Sequence, residues 1–145
     1  MVSKTVLLAD DDPHHSELIQ NALKDAGVTE GVVHVDNAAE ALDYLRRSGR
    51  FRERPPGLPV LMLLDLEMNH IGGFTVLEQM KRDPALRVVP VVCLASSPSD
   101  SDVARSYQLG ANACVLKPLE PEQLVARFQR IGQFWLNTNE PPSEN

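Results

Sequence analysis

At 145 residues, 43% hydrophobic and 23% charged, the chain has the size and composition of one globular domain able to bury a continuous core. Its formal net charge of −6 argues against duplex DNA as a main partner, because phosphate-binding surfaces are basic. No run approaches the about 18 consecutive apolar residues of a membrane span, and the opening MVSKTVLLADDD meets acids too early for a secretory signal. We therefore expect a cytoplasmic chain with neither membrane nor nucleic-acid partners.

The first apolar run, Thr5–Ala9, has strand length and leads directly into Asp10, Asp11 and Asp12. Pro13 opens a helical pattern carrying Leu18, Ile19, Ala22, Leu23 and Ala26, which Gly27 ends. A weaker strand covers Val32–Val35. Ala38, Ala41, Leu42 and Leu45 then form a second helical face that closes near Gly49. The connection 46–59 (RRSGRFRERPPGLP) is basic and rich in proline and glycine. Its five arginines read as a solvated surface or, more sharply, as a docking patch for an acidic partner.

Val60–Leu64 is the third strand, followed at once by Asp65. Phe74, Val76, Leu77 and Met80 mark a third helix, stopped by Asp83-Pro84. The fourth strand, Val88–Leu94, runs into Ala95-Ser96-Ser97, and Ser99 or Asp100 caps a fourth helix that reaches Gly110. Ala113–Leu116 is the fifth strand, ahead of Lys117-Pro118. The last helix starts at Pro121 and buries Leu124, Val125, Phe128, Ile131 and Trp135. We expect a domain over 1–137 and a polar, flexible tail over 138–145. Cys93 and Cys114 lie in apolar runs without metal-ligand spacing and read as reduced core residues.

Five strand–helix units in strict alternation imply an α/β fold, a doubly wound parallel sheet with five helices. The strongest strands are apolar throughout, as strands covered on both faces must be. Ligands of such sheets bind at the carboxyl ends of the strands. Asp10, Asp11, Asp65 and Lys117 all fall there.

Several carboxylates in one pocket repel unless a cation sits among them. An all-oxygen set with room for water suits Mg²⁺, held by Asp11, Asp65 and the backbone carbonyl near Glu67. Asp65 is then a nucleophile for phosphorus, and the Lys117 ammonium neutralises the charge on the phosphoryl group. Taken singly these residues say little: Asp12 before Pro13 reads equally well as a helix cap, and a lone lysine as surface. The set carries the signal.

VLLADDDP, LLDLEMNHIGGFTVL, VPVVCLASS and LGANACVLKP, in this order, resemble the successive signatures of response-regulator receiver domains. The resemblance runs from Thr5 to about Leu136. KDAG, AAEALDYLRRSG, KRDPALRVVPVV and RIGQFWL resemble more narrowly the small stand-alone receivers paired with phytochrome-type histidine kinases. It implies a flavodoxin-like fold with sheet order 2-1-3-4-5 and phosphotransfer to Asp65 from a kinase histidine. Asp10 and Asp11 become the acidic pair, with Asp11 a direct metal ligand, and Lys117 the phosphoryl-binding lysine. The peptide between Lys117 and Pro118 is expected to be cis, as is frequent in the family.

Three departures from the family pattern bear on signalling. Ala95 stands where a switch Thr or Ser belongs, and Cys114 where many receivers carry an aromatic. Met68-Asn69 and Gly72-Gly73 replace Met-Pro and a later Asp-Gly, making the active-site loop floppier. The missing hydroxyl removes a bond worth about 1.5–3 kcal/mol, comparable to a whole allosteric coupling. Ser96 is the one nearby substitute. We expect a receiver that accepts phosphate but switches weakly.

Two other classes compete. A phosphorylation-independent pseudo-receiver acting as an adaptor is favoured by Ala95 and Cys114 and opposed by the intact acidic set. A Mg²⁺-dependent aspartyl phosphatase wants an Asp two positions beyond the nucleophile, where this chain has Glu67. The aromatic end of the last helix, Phe134-Trp135-Leu136, suggests a weak homodimer through the last strand and helix.

Overall fold

The computed structural model describes residues 4–28, 31–68, 72–96 and 100–142. Expectations that fall on Asn69, Ser97, Ser99 and the last three residues of the tail lie outside them. Strands β1 (Val6–Ala9), β2 (Val32–Val35), β3 (Leu61–Asp65), β4 (Val91–Ala95) and β5 (Ala113–Leu116) alternate with helices α1 (Pro13–Asp25), α2 (Ala38–Arg46), α3 (Gly72–Arg82), α4 (Asp100–Gln108) and α5 (Pro121–Gln133). All pairings are parallel, in the order β2-β1-β3-β4-β5. This is the expected flavodoxin-like sheet.

Side-chain alternation divides each central strand between two cores. Leu7, Ala9, Met62, Leu64, Val91 and Cys93 pack under α2 and α3. Val6, Leu8, Leu61, Leu63, Val92 and Leu94 meet Ile19 and Leu23 of α1 and Leu124 and Phe128 of α5. With both faces covered, β1, β3 and β4 are buried at every position, which is why their sequences carry no polar alternation. At about 25 cal/mol per Å² of apolar surface removed from water, this double burial is the main force holding the sheet.

Helix α1 starts where Asp12 accepts hydrogen bonds from the backbone N–H groups of His14 and His15 at 3.0 Å each, with Pro13 at its first position. Asp12 is thus a cap, and the His15 N–H holds its carboxyl below the ordinary value, against a smaller upward push from burial. Helix α2 stops earlier than expected: Arg47 takes the left-handed conformation, φ 56°, and its N–H returns to Asp43 and Tyr44. Gly49 instead opens a 3₁₀ turn, Gly49–Phe51. Strand β4 begins at Val91 rather than Val88, because the preceding residues form a turn and Pro90 has no N–H to give. Beyond α5 the chain stays helical over Phe134–Thr138 as a π-type turn, with Leu136 buried.

Candidate functional site

The carboxyl ends of β1, β3 and β5 deliver Asp10, Asp65 and Lys117 to one point. Lys117 Nζ donates to Asp10 Oδ2 at 2.9 Å and to Asp65 Oδ2 at 3.4 Å. All three residues are buried, at 0%, 3% and 6% exposure for Asp10, Asp65 and Lys117. Asp11, half-buried at the rim, completes a carboxylate group: one oxygen each from Asp10, Asp11 and Asp65 lies within 4.8 Å of the others. Hard oxygen donors so spaced, with only one ammonium among them, suit a hard divalent cation.

Backbone groups fix the two deepest acids. Asp10 Oδ1 accepts from the Asp12 N–H at 2.9 Å, and Asp65 Oδ1 accepts from the Glu67 N–H at 2.9 Å. Each carboxylate therefore keeps one oxygen on the backbone and turns the other to Lys117. The Lys117 N–H itself bonds the Ala95 carbonyl at 2.8 Å, tying the end of β5 to that of β4.

Burial decides the charge state of Asp65. It raises the Asp65 carboxyl to about 6; the Glu67 N–H and Lys117 pull it down, and the Asp10 charge pushes it further up. For Lys117 burial works the other way, but the hydrogen bond and charge of Asp10, joined by Asp65, win and the ammonium is raised above its ordinary value. One cation shared between two buried acids satisfies itself fully and the acids only in part.

Of the other expected site residues, Glu67 donates its backbone N–H to Asp65, a different group from the carbonyl expected to face the metal, and its side chain is exposed. Ser96 is exposed just past β4. Ala95 is buried at the end of β4, and Cys114 is half-buried in β5, in register with Cys93. The Lys117–Pro118 peptide is trans, since no described peptide is cis; trans is the form X–Pro bonds prefer by about 0.5–1 kcal/mol.

Two contacts escape sequence reasoning. His34 Nε2 lies 2.8 Å from the carbonyl oxygen of Asp10, a cross-strand neighbour set by the β1–β2 register. Gly72 and Gly73 belong to the first turn of α3 rather than to the loop before it. A Cβ on Gly73 would collide with the Asp65 carbonyl oxygen and stand 2.9 Å from Leu66 Cα, so the glycine lets α3 seat directly on the Asp65 backbone.

Residues 6–129 match the response regulator receiver domain family. The probable methanogenesis regulatory protein FilR2 of Methanothrix harundinacea is 38% identical over 94% of this chain and 86% of its own length. Response regulator Rcp1 of Synechocystis is 33% identical over 93% of this chain and 90% of its own; its Mn²⁺-bound crystal structure superposes with a TM-score of 0.89. The phosphorylated cyanobacterial phytochrome response regulator RcpA, 36% identical, aligns over 98% of this chain and all of its own with a TM-score of 0.91. Acids and ammonium gathered at the carboxyl edge of a 2-1-3-4-5 sheet, in a chain that follows these proteins along almost its whole length, make it a member of the response-regulator receiver family.

Proposed function

We propose that this chain is a response-regulator receiver that takes a phosphoryl group on Asp65 from a histidine kinase, the kinase being phytochrome-type by the chain's likeness to the phytochrome response regulator RcpA and the bacteriophytochrome response regulator RtBRR. The observation that carries the proposal is Lys117 bridging Asp10 and Asp65 in a buried pocket. Asp65 Oδ attacks phosphorus, the bond from phosphorus to the donor histidine nitrogen breaks, and the histidine leaves with its electron pair. Lys117 moves from the carboxylates to the arriving phosphoryl oxygens, where its charge is needed. Asp10, Asp11, Asp65 and the Glu67 carbonyl would hold Mg²⁺, which supplies charge neutralisation at phosphorus when bound. The Glu67 N–H holds Asp65 Oδ1, so Oδ2, which Lys117 releases, is the oxygen that attacks.

Incubation with labelled acetyl phosphate and Mg²⁺ tests this: the wild type incorporates label and Asp65→Asn does not. Equal incorporation removes the phosphoacceptor.

Output is the weaker half of the device. Buried Ala95 offers no hydroxyl to a phosphoryl group, and Ser96 faces solvent; the adaptor reading draws on the same observation. A phosphatase role has no support in the Glu67 side chain, which is exposed. Weak self-association through β5 and α5 belongs to the same proposal, with Leu116, Leu119 and Phe134 exposed along that side. We take the receiver domain as residues 1–137, followed by a polar tail over 138–145, in the cytoplasm. Among the described residues no helix is long and apolar enough to cross a membrane.

A further inference from the structure

The connection from Arg46 to Pro59 carries five of the chain's 14 lysines and arginines and only one acid, in a molecule of net charge −6. So many like charges in so few residues repel, yet this segment is built rather than merely solvated. Arg54 turns inward and donates to three backbone carbonyls, those of Tyr44 at 2.7 Å, Pro55 at 2.8 Å and Gly57 at 2.9 Å. Its guanidinium also lies over the Tyr44 ring, 4.2 Å from the centroid, and Arg47 closes the loop by donating twice to the Arg54 carbonyl. Tyr44 meets Phe51 edge to face at 5.1 Å.

This scaffold encloses a crevice of about 360 Å³ whose walls include Val33, Tyr44, Phe51, Pro55, Pro56 and Leu58. The same loop turns Arg46, Arg47, Arg50 and Arg52 out to solvent. Arg54 and Arg47 are spent on order; Arg52 is displayed, and Arg46 and Arg50, also exposed, bond Gln79 and Glu40 at the rim.

We propose that this loop is a docking site for an acidic peptide segment of a partner protein, with one apolar side chain of that segment entering the crevice. Exposed guanidinium groups pair carboxylates in planar, two-point fashion, and an island of positive charge on an acidic molecule selects an anionic partner. Nucleic acid would meet the repulsion of the remaining surface. A lipid surface has no single side chain to fill a pocket walled by prolines and aromatics. Thr5 and Pro59, which also line the crevice, precede β1 and β3. The site therefore lies at the amino edge of the sheet, with Pro59 roughly 20 Å from Asp65 at about 3.3 Å per residue. Docking here goes beyond the phosphoacceptor reading and does not depend on it.

The test is an NMR titration of the isotope-labelled full chain with a capped hexapeptide of five acidic residues and one central phenylalanine. Amide shifts at Tyr44, Phe51 and Leu58 should move, with the resonances around Asp65 still. Arg52→Glu, at an exposed position, should weaken binding about tenfold, and a serine in place of the peptide's phenylalanine should do the same to the unmodified protein. Unmoved loop amides at millimolar peptide overturn the proposal. So does wild-type affinity in Arg52→Glu together with indifference to the serine peptide, or tighter binding of a DNA hexamer or of phosphatidylglycerol vesicles than of the peptide.

Discussion

Gly73 sits against the backbone carbonyl of Asp65 with no space for a Cβ between them. The obstacle is main chain rather than a flexible side chain, so it cannot swing aside. Gly73→Ala should therefore cost about 1–3 kcal/mol, the usual penalty of overpacking, read as a lower urea midpoint at unchanged slope. It should also slow labelling by acetyl phosphate, because relief comes only by moving Asp65 or α3.

The buried Asp65 carboxyl gives the metal-free protein a definite pH dependence. Its folded value of about 6 lies above the ordinary 3.8, so the folded state holds the proton more tightly than the unfolded one. The stability this proton contributes is full below pH 3.8 and is lost as pH rises through about 6. Asp65→Asn should accordingly stabilise the metal-free chain at pH 7.5 by up to about 3 kcal/mol and flatten its pH profile. Thermal melts of both proteins from pH 4.5 to 8 check this; an unchanged or lower midpoint for Asp65→Asn at pH 7.5 contradicts it.

Protons and divalent cations compete for the same oxygens. Mg²⁺ should raise the melting midpoint of the wild type above pH 6.5, with the effect fading as pH falls below about 6, and chelation should return the metal-free curve. In Asp65→Asn the Mg²⁺ effect should shrink at every pH. An equal effect in both proteins would place the cation elsewhere.

Lys117→Ala leaves Asp10 and Asp65 buried without their shared cation. Removing one partner from a buried pair costs about 3–5 kcal/mol, so the variant should be strongly destabilised at pH 7.5. Protonation relieves Asp65, whose carboxyl is already raised to about 6, so part of that loss should return near pH 5. Chemical denaturation at the two pH values separates this from general misfolding, which would persist at both.

Ala95, buried where β4 ends, offers a gain-of-function test. With beryllofluoride and Mg²⁺, shifts in the wild-type NMR spectrum should stay around Asp10, Asp65 and Lys117. In Ala95→Thr they should spread into α4 and β5. Equal spread in the two proteins would mean that the missing hydroxyl does not limit output.

Most of the fold could be read from the chain because the strands are buried on both faces and their apolar runs are unbroken. Asp65 and Lys117 stood out because each directly follows such a run. What stayed hidden depends on distances between elements. His34 is an ordinary strand residue until the β1–β2 register brings it to the Asp10 carbonyl. Gly73 resembles a loop glycine until α3 is laid on β3. The end of α2 was misjudged because Arg47, not a glycine, adopts positive φ, at a cost that its two bonds to the Arg54 carbonyl help to offset. Arg54 itself looked like one surface arginine among five.

The separation along β3 also bears on kinetics. A bystander held at the amino edge leaves the opposite pole open, so the two engagements need not exclude each other. Where both binding surfaces belong to one assembly, the second encounter becomes intramolecular, and its rate follows the length of the tether rather than the bulk concentration.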